Sequence, residues 1–213
     1  MQQPVLVIDI VSDVVCPWCY IGKRRLEQAL AESPQTTAKV RWHPYQLDST
    51  IPAGGLDRQQ YMNNKFGAER YAEISGRITQ VGAEVGIPFN FAAISRSPNT
   101  MDAHRLIRWA EAPGLQGEMK ERLMKAFFVE ARDIGDRAVL IELAIEVGLD
   151  RAVITQMLSG DFDKDAVREE VEMAQKTGVT GVPFFIFAQK LAVSGAQTAE
   201  VLRAAIAEAV MVD

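Results

Sequence analysis

The sequence has no excess of positive charge and no long hydrophobic run. Its 213 residues include 23 lysines and arginines against 28 aspartates and glutamates, which gives a formal net charge of −5. Because nucleic-acid-binding proteins more often present a basic face, we expect no nucleic-acid partner. No stretch approaches the roughly 20 apolar residues that a membrane-spanning helix needs, so we expect no membrane partner either.

The first twenty residues also lack the features of a secretory signal peptide. They read MQQPVLVIDIVSDVVCPWCY: no lysine or arginine precedes the apolar run, Asp9 and Asp13 interrupt it, and no small-residue cleavage site follows. We therefore expect a cytoplasmic protein. With 48% apolar and 24% charged residues, the chain is typical of one large globular domain, or of one domain that carries an insertion.

Cysteine and histidine are scarce, with two residues of each type. Both thiols, Cys16 and Cys19, lie in the stretch DVVCPWCY. They could be core residues, because a free cysteine packs as a small hydrophobe. A structural zinc site needs four ligands, and the remaining donors, His43 and His104, are not spaced as a pair. We expect no metal site, and redox chemistry explains the spacing best, since close cysteine pairs in the cytoplasm are more often catalytic than structural.

The residues around the two cysteines fit thiol–disulfide exchange. The β-branched run before them predicts a buried strand, and YIGKRRLEQAL after them predicts a helix. Cys16 would then lie at a helix N-terminus, which should lower its pKa and make it the attacking thiolate. Pro17 suits the first helical turn. Cys19 would resolve the mixed disulfide, and Trp18 would offer an apolar surface to the substrate.

Two aspartates near the pair allow opposite interpretations. A carboxylate close to a thiol raises the pKa of that thiol, whereas a buried one could accept the proton of Cys19. Asp9 could be such a buried acceptor or a strand-end residue in contact with water, and the role of Asp13 stays equally open. Ser12 is a further candidate hydrogen-bond partner.

Along the chain, the pattern reads β-α-β, a long helical block, and β-β-α. A second strand is predicted over residues 39–45, one long helical stretch from about Leu56, and further helices from about Thr100, Gly117, Asp136 and Asp150. Another covers residues 163–176, and Thr198 is a plausible N-cap for the last helix. The simplest fold is a discontinuous domain of residues 1–50 and 177–213, interrupted by a helical insertion domain of residues 51–176.

The stretch TGVTGVPFFIF near the end supplies a loop that could face the cysteines. We predict a cis peptide bond before Pro183 rather than before Pro88, because a hairpin and a closing helix follow only Pro183. Cis is accessible at such a bond, since it costs about 0.5–1 kcal/mol. Val182 would then present a backbone edge on which an extended peptide substrate could pair as an added strand.

Taken together, these motifs resemble the DsbA-like thioredoxin superfamily, in particular its FrnE-like cytoplasmic dithiol oxidoreductases. The matching segments are SDVVCPWCYIGK, GIPFNF, SPNTMDAHRLI, TGVTGVPFFIF and VSGAQ, which occur in the family's order over essentially the whole chain. The resemblance implies an α/β, thioredoxin-like fold with a large all-helical insertion. It also implies Cys16 and Cys19 as the redox pair, Pro183 as the cis-proline, and a position near the active face for NTMDAH.

Within NTMDAH, Asn99 or Thr100 is interpreted more simply as a helix N-cap, and His104 as a packed histidine. The related kappa-class glutathione transferases and 2-hydroxychromene-2-carboxylate isomerases have serine at the position of Cys16. A glutathione-dependent transferase or isomerase is therefore the alternative function, and a non-catalytic binding module is a third.

The resemblance also bears on cofactors and partners. Disulfide- or thiol-containing proteins or peptides would be the substrates, and no bound cofactor is expected. Glutathione stays open as a co-substrate, contacted by Val182, Pro183, Ser194 and Gly195, and a homodimer stays open as well.

Overall fold

The computed structural model describes residues 5–211. Its strands are β1 (Leu6–Ser12), β2 (Ala38–Pro44), β3 (Leu56–Asp57), β4 (Arg96–Ser97), β5 (Phe184–Phe187) and β6 (Leu191–Ser194). Its helices are α1 (Pro17–Ala31), α2 (Arg58–Phe66), α3 (Ala68–Glu84), α4 (Met101–Trp109), α5 (Gln116–Phe128), α6 (Arg137–Val147), α7 (Arg151–Ser159), α8 (Lys164–Lys176) and α9 (Ala199–Met211). A single 3-10 turn covers Phe91–Ala93.

One four-stranded sheet unites the two ends of the chain, in the order β2-β1-β5-β6. Strand β1 runs parallel to β2 and antiparallel to β5, and β6 closes a hairpin with β5. The apolar run that forms β1 is buried along most of its length, because it lies between two other strands. This arrangement confirms the predicted α/β, thioredoxin-like fold.

The segment between β2 and β5 is mostly helical, and its later helices begin within a residue or two of their predicted starts. Its first part differs from the prediction. The expected long helix from Leu56 is divided into α2 and α3 at Gly67, whose φ of +81° is a conformation that favours glycine. The segment is also not all-helical, since β3 and β4 form a small antiparallel sheet. The domain boundaries at residues 50/51 and 176/177 stay a prediction.

Aromatic side chains fix this helical segment to α1. The ring of Tyr20 on α1 stacks on Phe128 of α5 with centroids 6.2 Å apart, and it meets the edge of Phe89 at 6.1 Å. Because these rings are almost fully buried, the helices that follow β2 hold a defined position over the start of α1. Within residues 5–211, no helix combines the length and the apolar character of a membrane span.

Candidate active site

The turn between β1 and α1 places the two cysteines one helical turn apart. Cys16 is the N-cap residue of α1, Pro17 is its first helical residue, and the Cys19 N–H donates to the Cys16 carbonyl at 3.0 Å. Both thiols are free and their side chains contact each other. Burial raises the pKa of Cys19 well above its usual value, and the neighbouring Cys16 raises it further. In the described residues, no group of three His, Cys, Asp or Glu side chains could hold a metal ion.

Only Cys16 of the pair borders a cavity. This cavity has a volume of about 540 Å³ and lies between the β1–α1 turn and the helices α2 and α3. Trp18 and Val182 line it beside Cys16, which is 4% exposed, whereas Cys19 lies behind, 1% exposed. A molecule bound in the cavity can therefore contact Cys16, whereas Cys19 is shielded from it. A substrate-binding role for Trp18 and Val182 stays a prediction.

The loop before β5 faces the thiols. The Val182–Pro183 peptide bond is cis, as predicted. The Cys16 thiol donates a hydrogen bond to the Val182 carbonyl, with a sulfur–oxygen distance of 3.5 Å. Gly22 on α1 allows this close approach, since a Cβ there would lie 2.9 Å from the ring of Pro183 and 3.1 Å from Phe185. The glycine of YIGK thus lets α1 pack directly against the cis-proline.

Ser194 and Gly195 lie on the other side of Pro183. The Gly195 N–H donates to the Pro183 carbonyl at 2.8 Å, and Ser194 is paired with Phe184 in the β5–β6 hairpin. Neither residue lines the cavity that contains Cys16. Both support the loop, and their contact with a substrate stays a prediction.

Asp9 faces β2 and does not serve the thiols. Its carboxylate accepts hydrogen bonds from Arg41 at 2.6 and 2.8 Å and lies 2.8 Å from the His43 ring nitrogen. Burial alone would raise the pKa of Asp9, but these two partners hold it below its usual value. Asp9 is buried, as the first interpretation supposed, but its hydrogen-bond partners are Arg41 and His43 and not the thiol of Cys19.

Asp13 does lie at the redox pair. Its carboxylate accepts from the Leu47 N–H at 2.8 Å and lies 3.2 Å from the His104 ring nitrogen, and its backbone hydrogen-bonds to the Cys19 sulfur. Asp13 and His104 are 1% and 3% exposed, so they form a buried pair beneath the cavity. His104 is packed, as expected, but it packs against the acid closest to the thiols.

Of the other residues of NTMDAH, Thr100 reaches the cavity beside Cys16, as the resemblance implied. Thr100 occupies the N-cap position of α4, but its hydroxyl accepts from Gln46 at 3.4 Å. The Asn99 side chain instead accepts from the Met101 N–H at 2.9 Å, so Asn99 makes the capping hydrogen bond. Ser12 is fully buried, and its hydroxyl has no hydrogen-bond partner in residues 5–211.

A buried lysine from the helical segment completes the site. Lys120 of α5 is 1% exposed and lies over the ring of Trp42. Within residues 5–211 it donates one long hydrogen bond, 3.5 Å to the Ser12 carbonyl. Burial lowers the pKa of Lys120 to about 8, although nearby Cys19 and Asp13 act in the opposite direction. Its ammonium group therefore loses a proton at a lower pH than an ordinary lysine does.

Sequence comparison places the chain among known proteins. The family described as DSBA-like thioredoxin domain matches residues 7–207. The chain belongs to this family. A crystal structure of a probable DsbA oxidoreductase, SCO1869 from Streptomyces coelicolor, is 30% identical, with a TM-score of 0.88 over 96% of this chain and 89% of the other.

Two more distant structures share the fold of this DsbA-like chain. The cytosolic disulfide reductase DsbM from Pseudomonas aeruginosa, solved with GSH, is 24% identical with a TM-score of 0.68, over 95% of this chain and 98% of that one. A 2-hydroxychromene-2-carboxylate isomerase is 16% identical with a TM-score of 0.69, over 95% of each chain. At these identities the similarity shows a common fold.

Lys120 is one residue of this DsbA-like site that sequence reasoning missed. A signal for it existed in α5, where Met119, Leu123, Met124 and Phe127 form the buried stripe. Lys120 lies within that stripe at helical spacing, and lysine is almost never fully buried without a reason. A cation on the apolar face of a helix could thus have been selected as a candidate site residue.

Proposed function

We propose that this chain is a thiol–disulfide oxidoreductase in which Cys16 attacks and Cys19 resolves. The observation that carries the proposal is the unequal placement of two touching thiols. Cys16 borders the cavity beside the cis-Pro183 loop, whereas Cys19 is enclosed behind it. A substrate sulfur can approach only Cys16, so the mixed disulfide forms there.

The reaction balances as two successive displacements. The Cys16 thiolate attacks one sulfur of a substrate disulfide, the substrate S–S bond breaks, and one substrate thiolate leaves. The Cys19 thiolate then attacks the Cys16 sulfur and releases the second thiolate. Two electrons pass from the protein dithiol to the substrate, and the Cys16–Cys19 disulfide forms. A thiol reductant such as glutathione would return the protein to the dithiol.

Lys120 serves the second displacement in this proposal. The buried Cys19 thiol must lose its proton before it can attack, and burial opposes that loss. Lys120 is close enough to interact electrostatically with both thiols. Its neutral amine would accept the proton, and its ammonium form would then stabilise the Cys19 thiolate.

Proteins, peptides or small molecules with a disulfide would be the substrates. The Val182 backbone lies outside the pairing of β5 with β1 and β6, which supports its use as an edge for an extended peptide. Glutathione as a co-substrate, an isomerase activity, a cytoplasmic location and a homodimer stay proposals. The glutathione-dependent transferase or isomerase is the alternative, and it does not need the Cys16 sulfur.

Trapping the mixed disulfide tests the proposal. In the Cys19→Ser variant, Cys16 should form a mixed disulfide with oxidised glutathione that persists, because nothing resolves it. In the Cys16→Ser variant, the buried Cys19 should form little or none. Intact-protein mass spectrometry after quenching with an alkylating reagent measures both products.

The wild-type protein supplies the matching equilibrium measurement. In graded glutathione buffers it should form an intramolecular Cys16–Cys19 disulfide. A potential near about −270 mV would indicate a reductase, and one near about −180 mV or above an isomerase or oxidant. Failure to form the disulfide at any ratio would contradict the proposal, and a glutathione-dependent activity that survives Cys16→Ser would favour the alternative.

A further inference from the structure

The cavity beside Cys16 contains a buried arginine whose donors are poorly matched. Arg58, the first residue of α2, is 6% exposed and lines this cavity. Its Nη atoms reach the hydroxyls of Ser97 and Tyr71 only at 3.5 Å, the limit of a hydrogen bond. Its Nε is fully buried and has no hydrogen-bond partner in residues 5–211. Most of the donor capacity of this guanidinium group is therefore unused.

Among the described residues, no carboxylate forms an ion pair with Arg58. The two acids on the cavity wall are engaged elsewhere: Asp13 bonds to Leu47 and His104, and Asp48 accepts from the Tyr61 hydroxyl at 2.8 Å. None of the ion pairs formed within residues 5–211 includes Arg58; its cationic contacts are with the rings of Tyr71 and Phe127. A buried cation without a partner is costly, unless an anion joins it.

The surroundings of Arg58 indicate the size and polarity of a ligand as well as its charge. Most of the exposed lining of the cavity is apolar, and about 540 Å³ is within the usual range for a small-molecule site. The walls include Trp18, Met62, Ile74 and Phe91. Lys65 and Arg77 also line the cavity, but both are exposed, so Arg58 is its buried cation. A ligand that fills this space would hence combine an apolar, preferably aromatic, body with a negatively charged group.

We propose that Arg58 binds the carboxylate of a small apolar thiol or disulfide substrate and thereby directs the substrate's sulfur to Cys16. A guanidinium group pairs with a carboxylate through two parallel hydrogen bonds, so Arg58 would fix the orientation of the ligand as well as attract it. This inference rests on the proposed exchange function and adds the class of substrate.

Two aryl disulfides separate the roles of charge and of thiol reactivity. Dithiobis(nitrobenzoate) carries one carboxylate on each ring, and dithiobis(nitropyridine) is an uncharged analogue. Each reacts with the reduced protein by the two displacements described above, so each molecule consumed releases two coloured thiols and leaves the Cys16–Cys19 disulfide. Stopped-flow absorbance then gives a second-order rate constant for each probe.

We expect Arg58→Met to slow the reaction with dithiobis(nitrobenzoate) by about tenfold or more, the value of one charged hydrogen bond. The reaction with dithiobis(nitropyridine) should change less than about twofold, which also shows that the variant is folded and its thiols are intact. Arg58→Lys keeps the charge but not the paired geometry and should be intermediate. Arg151→Met, at an exposed arginine outside the cavity, should leave both rates unchanged.

The outcomes distinguish a failure of the inference about Arg58 from a failure of the proposed exchange function. If both probes oxidise the wild-type thiols and Arg58→Met slows them equally or not at all, Arg58 does not bind the carboxylate. If oxidised glutathione depends on Arg58 more than the aryl acid does, the apolar part of the inference is wrong. If neither probe oxidises the Cys16–Cys19 pair, the exchange function itself fails.

Discussion

Two regions of the protein that bury cationic side chains differ in the partners that these side chains have. In the region around α4 and α7, Arg105 is 0% exposed and every nitrogen that could donate has a good acceptor. It binds Asp102 at 2.8 Å and the carbonyls of Met157 and Gly160 at 2.7 and 2.8 Å, and its Nε donates to the Phe162 carbonyl. Arg105 thus satisfies the carbonyls at the C-terminal end of α7.

In the active-site region, two buried cations lack such partners. Arg58 has only hydroxyl contacts at 3.5 Å, and Lys120 has one carbonyl contact at the same distance. Burial is similar in both regions, so the difference lies in hydrogen bonding. We infer that the well-bonded cation holds the fold, whereas the poorly bonded ones are available to substrate and thiols.

The largest effect should come from Arg105. The Arg105→Met variant leaves three carbonyls without their donor and leaves the half-buried Asp102 with Arg137 as its remaining partner. Removing one partner from a buried charged network typically destabilises a protein by about 3–5 kcal/mol. We expect a loss in this range, measured as the free energy of unfolding in urea.

Arg108 supplies the matched control on the same helix. It is exposed to 42% and pairs with Glu170 and Asp163 at the surface. The Arg108→Met variant should lose less than about 1 kcal/mol, since exposed ion pairs contribute little. Equal losses in the two variants would contradict the structural role assigned to Arg105.

The next largest effect on stability should come from Lys120, and its replacement should stabilise the protein. The pKa of Lys120 is about 8 in the folded protein and 10.5 as its ordinary value, so the unfolded chain binds this proton more tightly. The resulting cost to folding is complete below pH 8 and disappears as the pH rises to about 10.5. Lys120→Met should therefore stabilise the protein at pH 7 by up to about 3 kcal/mol, and less at higher pH.

Unfolding in urea across this pH range measures the effect, with Lys125→Met as the control. Lys125 is an exposed residue of the same helix and should show no such pH trend. The Lys120→Met protein should also resolve its mixed disulfide more slowly. If Lys120→Met were less stable than the wild type at pH 7, Lys120 would have a structural role like that of Arg105.

The elements that were predicted correctly depend on local signals. The hairpin after Pro183 and the helix starts at the cysteine pair and near Asp136 and Asp150 follow from turn residues, caps and apolar periodicity. Asp136 and Asp150 do cap their helices with side-chain hydrogen bonds. The break at Gly67 was missed because one glycine within a helical pattern does not by itself show that a positive φ is required.

Only the residues of the candidate site that belong to a sequence motif could be predicted. Cys16, Cys19 and the cis-proline were found because their spacing and order carry the information. Arg58 and Lys120 were missed because their burial depends on contacts between distant segments, such as Lys120 with Ser12. The role of Asp9 stayed open for the same reason, since its partners Arg41 and His43 become neighbours only when β2 pairs with β1.

The smallest effect on stability should come from Arg58. Its size distinguishes most directly between a structural and a ligand-binding role for a poorly bonded cation. Methionine at this position removes two weak polar contacts and an unpaired charge. Replacing a buried charge by an apolar side chain is often neutral or stabilising. We expect Arg58→Met to unfold in urea within about 1 kcal/mol of the wild type, because the lost ring contacts offset part of the gain. A loss close to that of Arg105→Met would mean that the fold, and not a ligand, uses this guanidinium group. With near-wild-type stability, a selective loss of reactivity toward the carboxylate-bearing disulfide would have to arise in the cavity itself.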